Sequence, residues 1–577
     1  MINSKLAEIF NEIADMLELE GEKYSRFEVL AYRKAAMTIG TLQEDVGDVY
    51  KKGGVEALME LPGIGKGISG AIKEYVDTGK MGKYEKLKKK YPIDFANLTS
   101  IQGMGAKKVF KLFKALKVKN VQDLKKAIEK HKIRELEGFG EQSEEQIKKG
   151  IGFLESGGGR MLLGKALPEA ESIRDKLLKS GLVEKAIIGG STRRMRETVG
   201  DLDILIISSK GAKVMDFLSK MDEVESVIAK GPTKTSVRLK IGLNCDFRLV
   251  ERESFGAALQ YFTGNKDHNV KLREIAIKKK LKLNEYGLFD RRNKNVAAGE
   301  NEEEVYKILG LDWMEPEMRE NRGEIDLALH HKLPKLIQIE DILGDLHVHS
   351  KHSDGTDTIE EMANAALKLG RKYIGMTDHS KSEYQAGGMD DKGFEKYFAE
   401  IDKLNDRIGN KIRILKSGEV DILKDGSLDL KDKTLEQMDY VAASVHNNLR
   451  LGKEEMTKRI VKALGSGHVN ILCHPTGRLI NQREPIDADW DRVFDAAQKN
   501  NVVMEIDSFP DRLDLNDENA IKAKKYKLKF SIDTDAHRTS HLQYMRYGIG
   551  VAKRAWLGKD DVINTTDVGS LLRLFKR

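Results

Sequence analysis

An all-helical arm, an α+β core and a C-terminal α/β barrel are the multidomain architecture this 577-residue sequence predicts. Three observations predict it. A hydrophobic-x-Gly-hydrophobic-Gly motif recurs between helical stretches in the first 155 residues. Strand-like runs between about 186 and 250 carry paired carboxylates. After residue 340, imidazole and carboxyl groups follow one strand-like run after another. A chain of this length holds three or more domains, each able to bury a core. Charged residues make up 33% and aromatics 6%, which describes a soluble globular protein with a highly charged surface. The absence of any run of about 18 apolar residues, and of a signal-peptide core, predicts a protein without a membrane. Only Cys245 and Cys473 are present, which excludes a disulfide framework and fits a reducing cytoplasm. The net charge of +7 suits a polyanionic partner without establishing one.

Residues 1–60 read as amphipathic helices, with Leu6, Phe10, Ile13 and Leu17, then Phe27, Leu30 and Ala31, at helical spacing. The glycine motif follows as Leu61-Pro62-Gly63-Ile64-Gly65, Ile101-Gln102-Gly103-Met104-Gly105 and Leu136-Glu137-Gly138-Phe139-Gly140. Paired glycines permit a tight hairpin that aims backbone N–H groups at one phosphate, as in helix–hairpin–helix contacts that ignore base sequence. The first two copies run into Lys66 and into Lys107-Lys108, so Gly63, Gly65, Lys66, Gly103, Gly105 and Lys107 read as DNA contacts. The third runs into the acidic Glu141-Gln142-Ser143-Glu144-Glu145, is unsuited to phosphate, and reads as a packing turn. Gly157-Gly158-Gly159 reads as a hinge.

Beyond it, strands at Ala186–Ile188, 202–207, 236–241 and 245–250 outline the core. In Gly200-Asp201-Leu202-Asp203-Ile204-Leu205, side chains alternate faces, so Asp201 and Asp203 project together while Leu202 packs behind. Two such carboxylates repel unless a cation sits between them, and Mg²⁺ takes carboxylates, waters and substrate phosphates. Asp246 lies on a neighbouring strand as a third carboxylate. Ten residues before the acidic pair, Gly190-Ser191-Thr192-Arg193-Arg194 offers backbone donors and the Arg194 guanidinium to a polyphosphate. Together these describe a nucleotidyltransferase site.

With Tyr261-Phe262-Thr263-Gly264 fifteen residues after Asp246, the first 315 residues resemble the family X DNA polymerases. The resemblance implies a palm and thumb in which Asp201 and Asp203 ligate both metal ions, Mg²⁺ or Mn²⁺. Asp246 would help activate the primer 3′-hydroxyl. Gly190, Ser191 and Arg194 would hold the triphosphate, Tyr261 and Phe262 would line the sugar and exclude a 2′-hydroxyl, and Gly264 would be a further nucleotide contact. Asn269 and Arg273 would contact the base and the minor groove. Two departures stand out: Asn265 replaces the Ser usual after Y-F-T-G, and Ala71 stands where the mammalian repair polymerase of the family has its Schiff-base lysine. Alanine cannot form that imine, so lyase activity is not expected.

Eleven of the thirteen histidines lie after residue 329. His347 and His349 sit on one face at the end of a short apolar strand, with Asp354 just beyond. His379, Glu419, His446, His474, Asp535 and His537 follow further strand-like runs, about seven in all, alternating with helical segments. Polar groups at the carboxyl ends of alternating strands converge on one rim of an α/β barrel. His352, His468 and His541 fall outside this pattern and read as structural; His330 and His331 read as exposed residues of a charged connector. At D-L-H-V-H-S, T-D-H-S, S-G-E, S-V-H, C-H-P and D-T-D-A-H, residues 341–577 resemble the polymerase and histidinol phosphatase (PHP) domain. That implies a distorted (β/α)7 barrel whose nine ligand positions hold up to three Zn²⁺ or Mn²⁺ ions and hydrolyse phosphoesters.

The expected order is therefore a helix–hairpin–helix domain at 1–90, fingers at 91–155, a palm at 156–250, a thumb at 251–315, a linker at 316–340 and a PHP domain at 341–577. The expected function is a monomeric, cytoplasmic repair polymerase, of the base-excision type, that fills short gaps in primed DNA from deoxynucleoside triphosphates. It would carry a 3′–5′ exonuclease, with abasic-site endonuclease or 3′-phosphatase activity as further options of the same site. Two rivals are an RNA nucleotidyltransferase sharing the D-x-D core, and a DNA-binding scaffold with phosphoesterase activity alone. The paired hairpins with Y-F-T-G argue against the first, and intact Asp201, Asp203 and Asp246 against the second.

Overall fold

In the computed structural model the described residues are 2–19, 26–41, 45–61, 63–99, 101, 104–156, 160–290 and 296–576. They form two compact units: residues 1–158 with 481–483, and residues 159–480 with 484–577. No helix among the described residues is long and apolar enough to cross a membrane.

The first unit is all-helical. Helix Ile2–Leu19 buries Leu6, Phe10, Ile13 and Leu17, the stripe its periodicity defines. Helix Arg26–Thr41 departs from expectation. It buries Tyr32, Ala35, Ala36 and Ile39, and leaves Phe27 84% and Leu30 56% exposed. The inward face is set by its small residues, which allow close approach to Ile2–Leu19. The apolar core runs without a break from Leu6 to Ile151, so the 90/91 division falls inside one packed unit. Gln102 and Gly103 of the second hairpin, Pro62 of the first, and the Gly157-Gly158-Gly159 hinge lie outside the described residues. In the third hairpin Phe139 is buried and Gly138 holds φ +80°, as a packing turn requires. Gly140 has open space where a Cβ would stand, so Gly138, not Gly140, is the glycine the turn depends on.

The second unit begins with a mixed five-stranded sheet in the order Lys185–Ile188, Asp201–Ile207, Asn244–Leu249, Lys234–Leu239, Val224–Lys230. Helices Phe255–Thr263 and Lys266–Lys278 and a small antiparallel sheet of Leu281–Asn284, Gly287–Asp290 and Val296–Ala298 follow. The 316–340 segment is folded, although its charge suggested a linker. Arg319, Glu324, Ala328 and Ile337 are fully buried, and His268 bridges Glu324 (2.7 Å) and Tyr306 (3.0 Å). Its buried charges are paired with residues elsewhere in the chain, Arg319 with Glu302 and Glu324 with His268, which composition alone does not reveal. His330 and His331 are exposed, as expected.

After residue 340 come eight short parallel strands in two sheets. Gly344–Val348, Tyr373–Met376 and Arg413–Lys416 form one. Glu419–Asp421, Val441–Ser444, Val469–Leu472, Val503–Asp507 and Phe530–Asp533 form the other. Parallel bridges at Val348–Ala536 and His379–Glu419 join the two into a distorted barrel. The strand beyond the expected seven is Glu419–Asp421, which starts three residues after Lys416 with no helix between. Gly418 makes that break possible, because a Cβ there would lie 2.7 Å from Phe394.

Candidate active sites

The first site grows from two paired strands. Asp201–Ile207 lies parallel to Asn244–Leu249 in a register that sets Asp203 against Asp246, with Leu202 fully buried behind. Burial and the neighbouring Asp201 and Asp246 carboxylates push Asp203 up to about 6. Burial works the same way on Asp246. Lys234 (2.7 Å) and Ser236 (2.6 Å) more than offset it and hold that carboxyl below its usual value. Three carboxylates with one left in need of positive charge are a donor set that fits a hard divalent cation.

Facing them, Gly190–Arg193 forms one helical turn that begins at φ +62°. A Cβ on Gly190 would lie 2.7 Å from Asp203 Oδ2, so only glycine lets this turn close over the acid pair. The turn and the acids line a cavity of about 400 Å³ shared with Arg194, Tyr261, Phe262, Gly264, Asn269 and Arg273. The structure thus brings every expected nucleotide residue to one cleft with Asp201 and Asp203; Asp246 stands beside Asp203 on the neighbouring strand and does not line the cavity. Tyr261 and Phe262 meet edge to face at 5.1 Å, with the Arg248 guanidinium 4.2 Å above the Phe262 ring. Asn269 donates to the Tyr261 carbonyl (2.7 Å) and accepts from Gln260 (2.7 Å), so its amide fixes the Tyr261 backbone. Sequence reasoning missed Arg160, Lys266 and Lys234. Strand register and chain return bring Lys234 and Arg160 here, so nothing local marks them, whereas Lys266 directly follows the Tyr261–Asn265 segment and was within reach of the sequence.

The second site collects all nine expected ligands: eight lie at or beyond the carboxyl ends of barrel strands, and Glu419 opens the short strand that follows Arg413–Lys416. Glu419 is its centre. Oε1 lies 2.6 Å from His474 and 3.1 Å from His446, while Oε2 lies 3.1 Å from His379 and 3.4 Å from His347. Asp535 Oδ1 reaches His349 (3.1 Å) and His347 (3.5 Å); Asp354 Oδ2 reaches His537 (3.2 Å) and His379 (3.5 Å). His347 Nε2, both ring nitrogens of His349 and His379 Nδ1 are buried without a hydrogen-bond partner. Buried polar atoms are rarely left so, and these converge in groups spaced to hold metal ions. Burial opposes charge on His446 and His537, yet Glu419 and Asp535 push them up to about 10 and about 9. These imidazoles carry protons wherever no metal ion replaces them.

Supporting groups were missed in the sequence. Glu505 accepts from His347 Nδ1 (2.6 Å) and Asp421 faces His446 Nδ1 (3.2 Å), each orienting an imidazole. Asp378 accepts from Ser350, Ser353 and Tyr397 and so fixes the loop that carries Asp354. A lone Glu in the apolar run Val502-Val503-Met504-Glu505-Ile506 was the one available signal. His352 pairs with Glu400 and His468 with Asp432, and neither joins the ligand cluster.

Comparison with known proteins follows this division of sites. Family models match a helix-hairpin-helix domain at residues 1–81, a SAM-like helix-hairpin-helix tandem at 95–152, a DNA polymerase beta thumb at 258–320 and a PHP domain at 345–508. DNA polymerase lambda of Arabidopsis thaliana is 26% identical over 55% of this chain and 62% of its own. A protein named as a probable phosphatase, from Thermoanaerobacter sp. (strain X514), is 32% identical over 40% of this chain and 94% of its own. The DNA polymerase/3′-5′ exonuclease PolX of Bacillus subtilis (strain 168) is 38% identical over the full length of both chains. With that match along its whole length, the chain belongs to the family X DNA polymerases that carry a C-terminal PHP domain.

Proposed function

We propose that this protein is a DNA-directed DNA polymerase that fills short gaps in repair, with a metal-dependent 3′–5′ exonuclease in its PHP domain. The observation that carries the reading is the pair of separate sites: a cleft lined by Asp201, Asp203, a Gly-Ser turn and Arg194, with Asp246 on the strand beside Asp203, and a rim of nine imidazole and carboxylate ligands. In the cleft, Asp201, Asp203 and Asp246 hold Mg²⁺ or Mn²⁺, which when bound stabilises charge on the transferring phosphoryl group. Asp246, kept ionised by Lys234 and Ser236, orients the primer 3′-hydroxyl. Backbone donors of Gly190 and Ser191 and the Arg194 guanidinium hold the triphosphate. Tyr261 and Phe262 crowd a 2′-hydroxyl, Gly264 is a further nucleotide contact, and Asn269 and Arg273 face the base pair. Gly63, Gly65, Lys66, Gly105 and Lys107 anchor DNA phosphates, together with Gly103.

At the rim, His347, His349, Asp354, His379, Glu419, His446, His474, Asp535 and His537 hold up to three Zn²⁺ or Mn²⁺ ions. Abasic-site endonuclease and 3′-phosphatase activities belong to the same chemistry. The protein acts as a monomer in the cytoplasm, in base excision repair, with the chain divided by role near residues 155, 250 and 340.

Primer extension on gapped DNA, run beside 3′-end hydrolysis, tests the reading. Asp201→Ala and Asp203→Ala should lower nucleotide addition by about a thousandfold or more and leave hydrolysis measurable. His349→Ala should do the reverse. Loss of both activities in either direction means one shared site and defeats the two-site reading.

A further inference from the structure

We propose that Arg554, on the barrel helix Met545–Arg554, is a positioning residue that orients Arg194 toward the triphosphate through Glu320. The hydrolytic half of the chain thereby sets nucleotide affinity in the synthetic half. The inference rests on the proposed triphosphate role of Arg194.

Glu320, on the segment joining thumb to barrel, lies between two guanidiniums. Its Oε1 accepts from Arg194 Nε at 2.9 Å and from Arg554 Nη1 at 2.8 Å, and its Oε2 accepts from Asn265 Nδ2 at 2.9 Å. Arg554 Nη1 also donates to the Arg194 carbonyl at 3.3 Å. The far end of Arg554 is fixed, because Nη2 donates to Asp517 Oδ2 at 2.7 Å, an oxygen also held by Arg322 at 2.8 Å. All three members of the bridge are removed from solvent: the side chains of Arg554, Glu320 and Arg194 are 3%, 10% and 12% exposed. Burial alone would raise the Glu320 carboxyl, but Arg554 and then Arg194 bring it down to about 2. The same helix packs on the residue after Arg194: a Cβ on Gly550 would lie 2.8 Å from Met195 Cβ.

The consequence for Arg194 follows from its donors. Nε is bonded to Glu320 and Nη1 to the Thr263 carbonyl, which leaves Nη2 without a hydrogen-bond partner among the described residues, on a side chain that lines the nucleotide cavity. A guanidinium held at two nitrogens and at its own backbone has already given up its rotational freedom before a nucleotide arrives. Glu320 can serve this role only because Arg554 satisfies half of its charge. Without Arg554, Arg194 is the one cation left on the buried carboxylate; drawn into a two-toothed pair that competes with Asn265 for Oε2, it turns Nη2 away from the cavity.

Steady-state gap filling with Arg554→Met and Arg554→Lys in the full chain tests this, with 3′-end hydrolysis measured on the same preparations. Arg554→Met should raise the KM for deoxynucleotides about tenfold, with kcat within about twofold and hydrolysis unchanged. Arg554→Lys, which keeps one donor and the charge, should recover part of the loss. Because Arg554 acts through Arg194, the Arg194→Met/Arg554→Met double variant should match Arg194→Met alone. Additive effects, an unchanged KM in Arg554→Met, or both activities falling together in Arg554→Met and Arg554→Lys would overturn the proposal. If Arg194→Met itself leaves KM unchanged, the triphosphate reading fails. If Arg194→Met raises KM while Arg554→Met does not, only the positioning role fails.

Discussion

Asp203 shows how the polymerase cleft trades stability for function. Its carboxyl is pushed up to about 6 in the folded protein, against 3.8 for an ordinary Asp, first by burial and then by Asp201 and Asp246. The folded state therefore holds this proton more tightly than the unfolded chain. Ionising the group costs the fold stability progressively as pH rises from about 4 to about 6, and the whole cost is present above that. Asp203→Asn should accordingly raise metal-free stability at pH 7.5 by about 1–3 kcal/mol. The gain over wild type should disappear near pH 4. Mg²⁺ should reverse it at pH 7.5, because the cation stabilises only the wild-type acid cluster. Thermal melts of both proteins with Mg²⁺ and with chelator check this. A destabilised Asn variant at pH 7.5 in chelator would contradict the cause given for the shift.

A second residue-scale prediction concerns the lyase chemistry of the mammalian relatives. Ala71 packs against the apolar core of the helical unit. Lys73 is bonded to Asp77 (2.8 Å) and Tyr50 (2.7 Å), which hold its amine above the usual lysine range and so protonated. A protonated amine cannot attack an aldehyde. Borohydride should trap little protein on a 5′-deoxyribose phosphate substrate; strong trapping lost in Lys66→Ala or Lys73→Ala would show a relocated nucleophile. Which residues could be read from the sequence follows the same physics. His347, Glu419 and Asp535 stand out because each ends a strand-like run. Lys234, Asp421 and Arg554 do not, because their roles depend on strands and helices brought together from distant segments.

At the scale of elements, the hairpins are where sequence and geometry agree in kind and differ in detail. Gly65 and Gly105 are the residues before helices Lys66–Thr78 and Ala106–Leu116, at φ −89° and −76°, and neither has an atom near where a Cβ would stand. The fold itself does not require glycine at either position; the approach of a phosphate does. Gly105→Val should thus leave the melting temperature within about 2 °C while weakening gapped-DNA binding about tenfold, and binding should fall steeply with salt whatever the sequence. Unchanged affinity, or affinity insensitive to salt, would remove the hairpin as an anchor. Elements were legible where one periodicity dominates, as in Leu6, Phe10, Ile13 and Leu17. They were not where local chemistry is overruled. The charged 316–340 segment folds because its buried Arg319 and Glu324 find partners (Glu302 at 2.6 Å and His268 at 2.7 Å) that lie elsewhere in the chain. The outward turn of Phe27 likewise depends on which helix face the neighbouring helix reaches.

For the second unit as a whole, the division into polymerase and nuclease halves is one of chemistry and not of packing. One apolar cluster includes Leu163, Ala166, Ile173 and Phe247 of the palm together with Ile506, Phe530, Met545 and Val551 of the barrel. A Cβ on Gly164 at the start of the palm helix would lie 2.2 Å from Pro510 of the barrel, and Glu171 and Glu197 pair with Arg546 (3.0 Å) and Arg478 (2.6 Å) across the same boundary. A shared core makes unfolding cooperative, whereas a loosely tethered pair of domains would melt separately. DNA synthesis and 3′-end hydrolysis should therefore be lost over the same urea range. Truncation after residue 340 should yield a chain that aggregates or has lost gap filling, because it exposes the palm face that the barrel covers. His349→Ala, which empties the rim of one ligand and leaves that core intact, should keep its synthesis. A soluble 1–340 fragment that fills gaps at the full-length rate would show the halves to be independent, and would also leave Arg554 no part in holding Arg194.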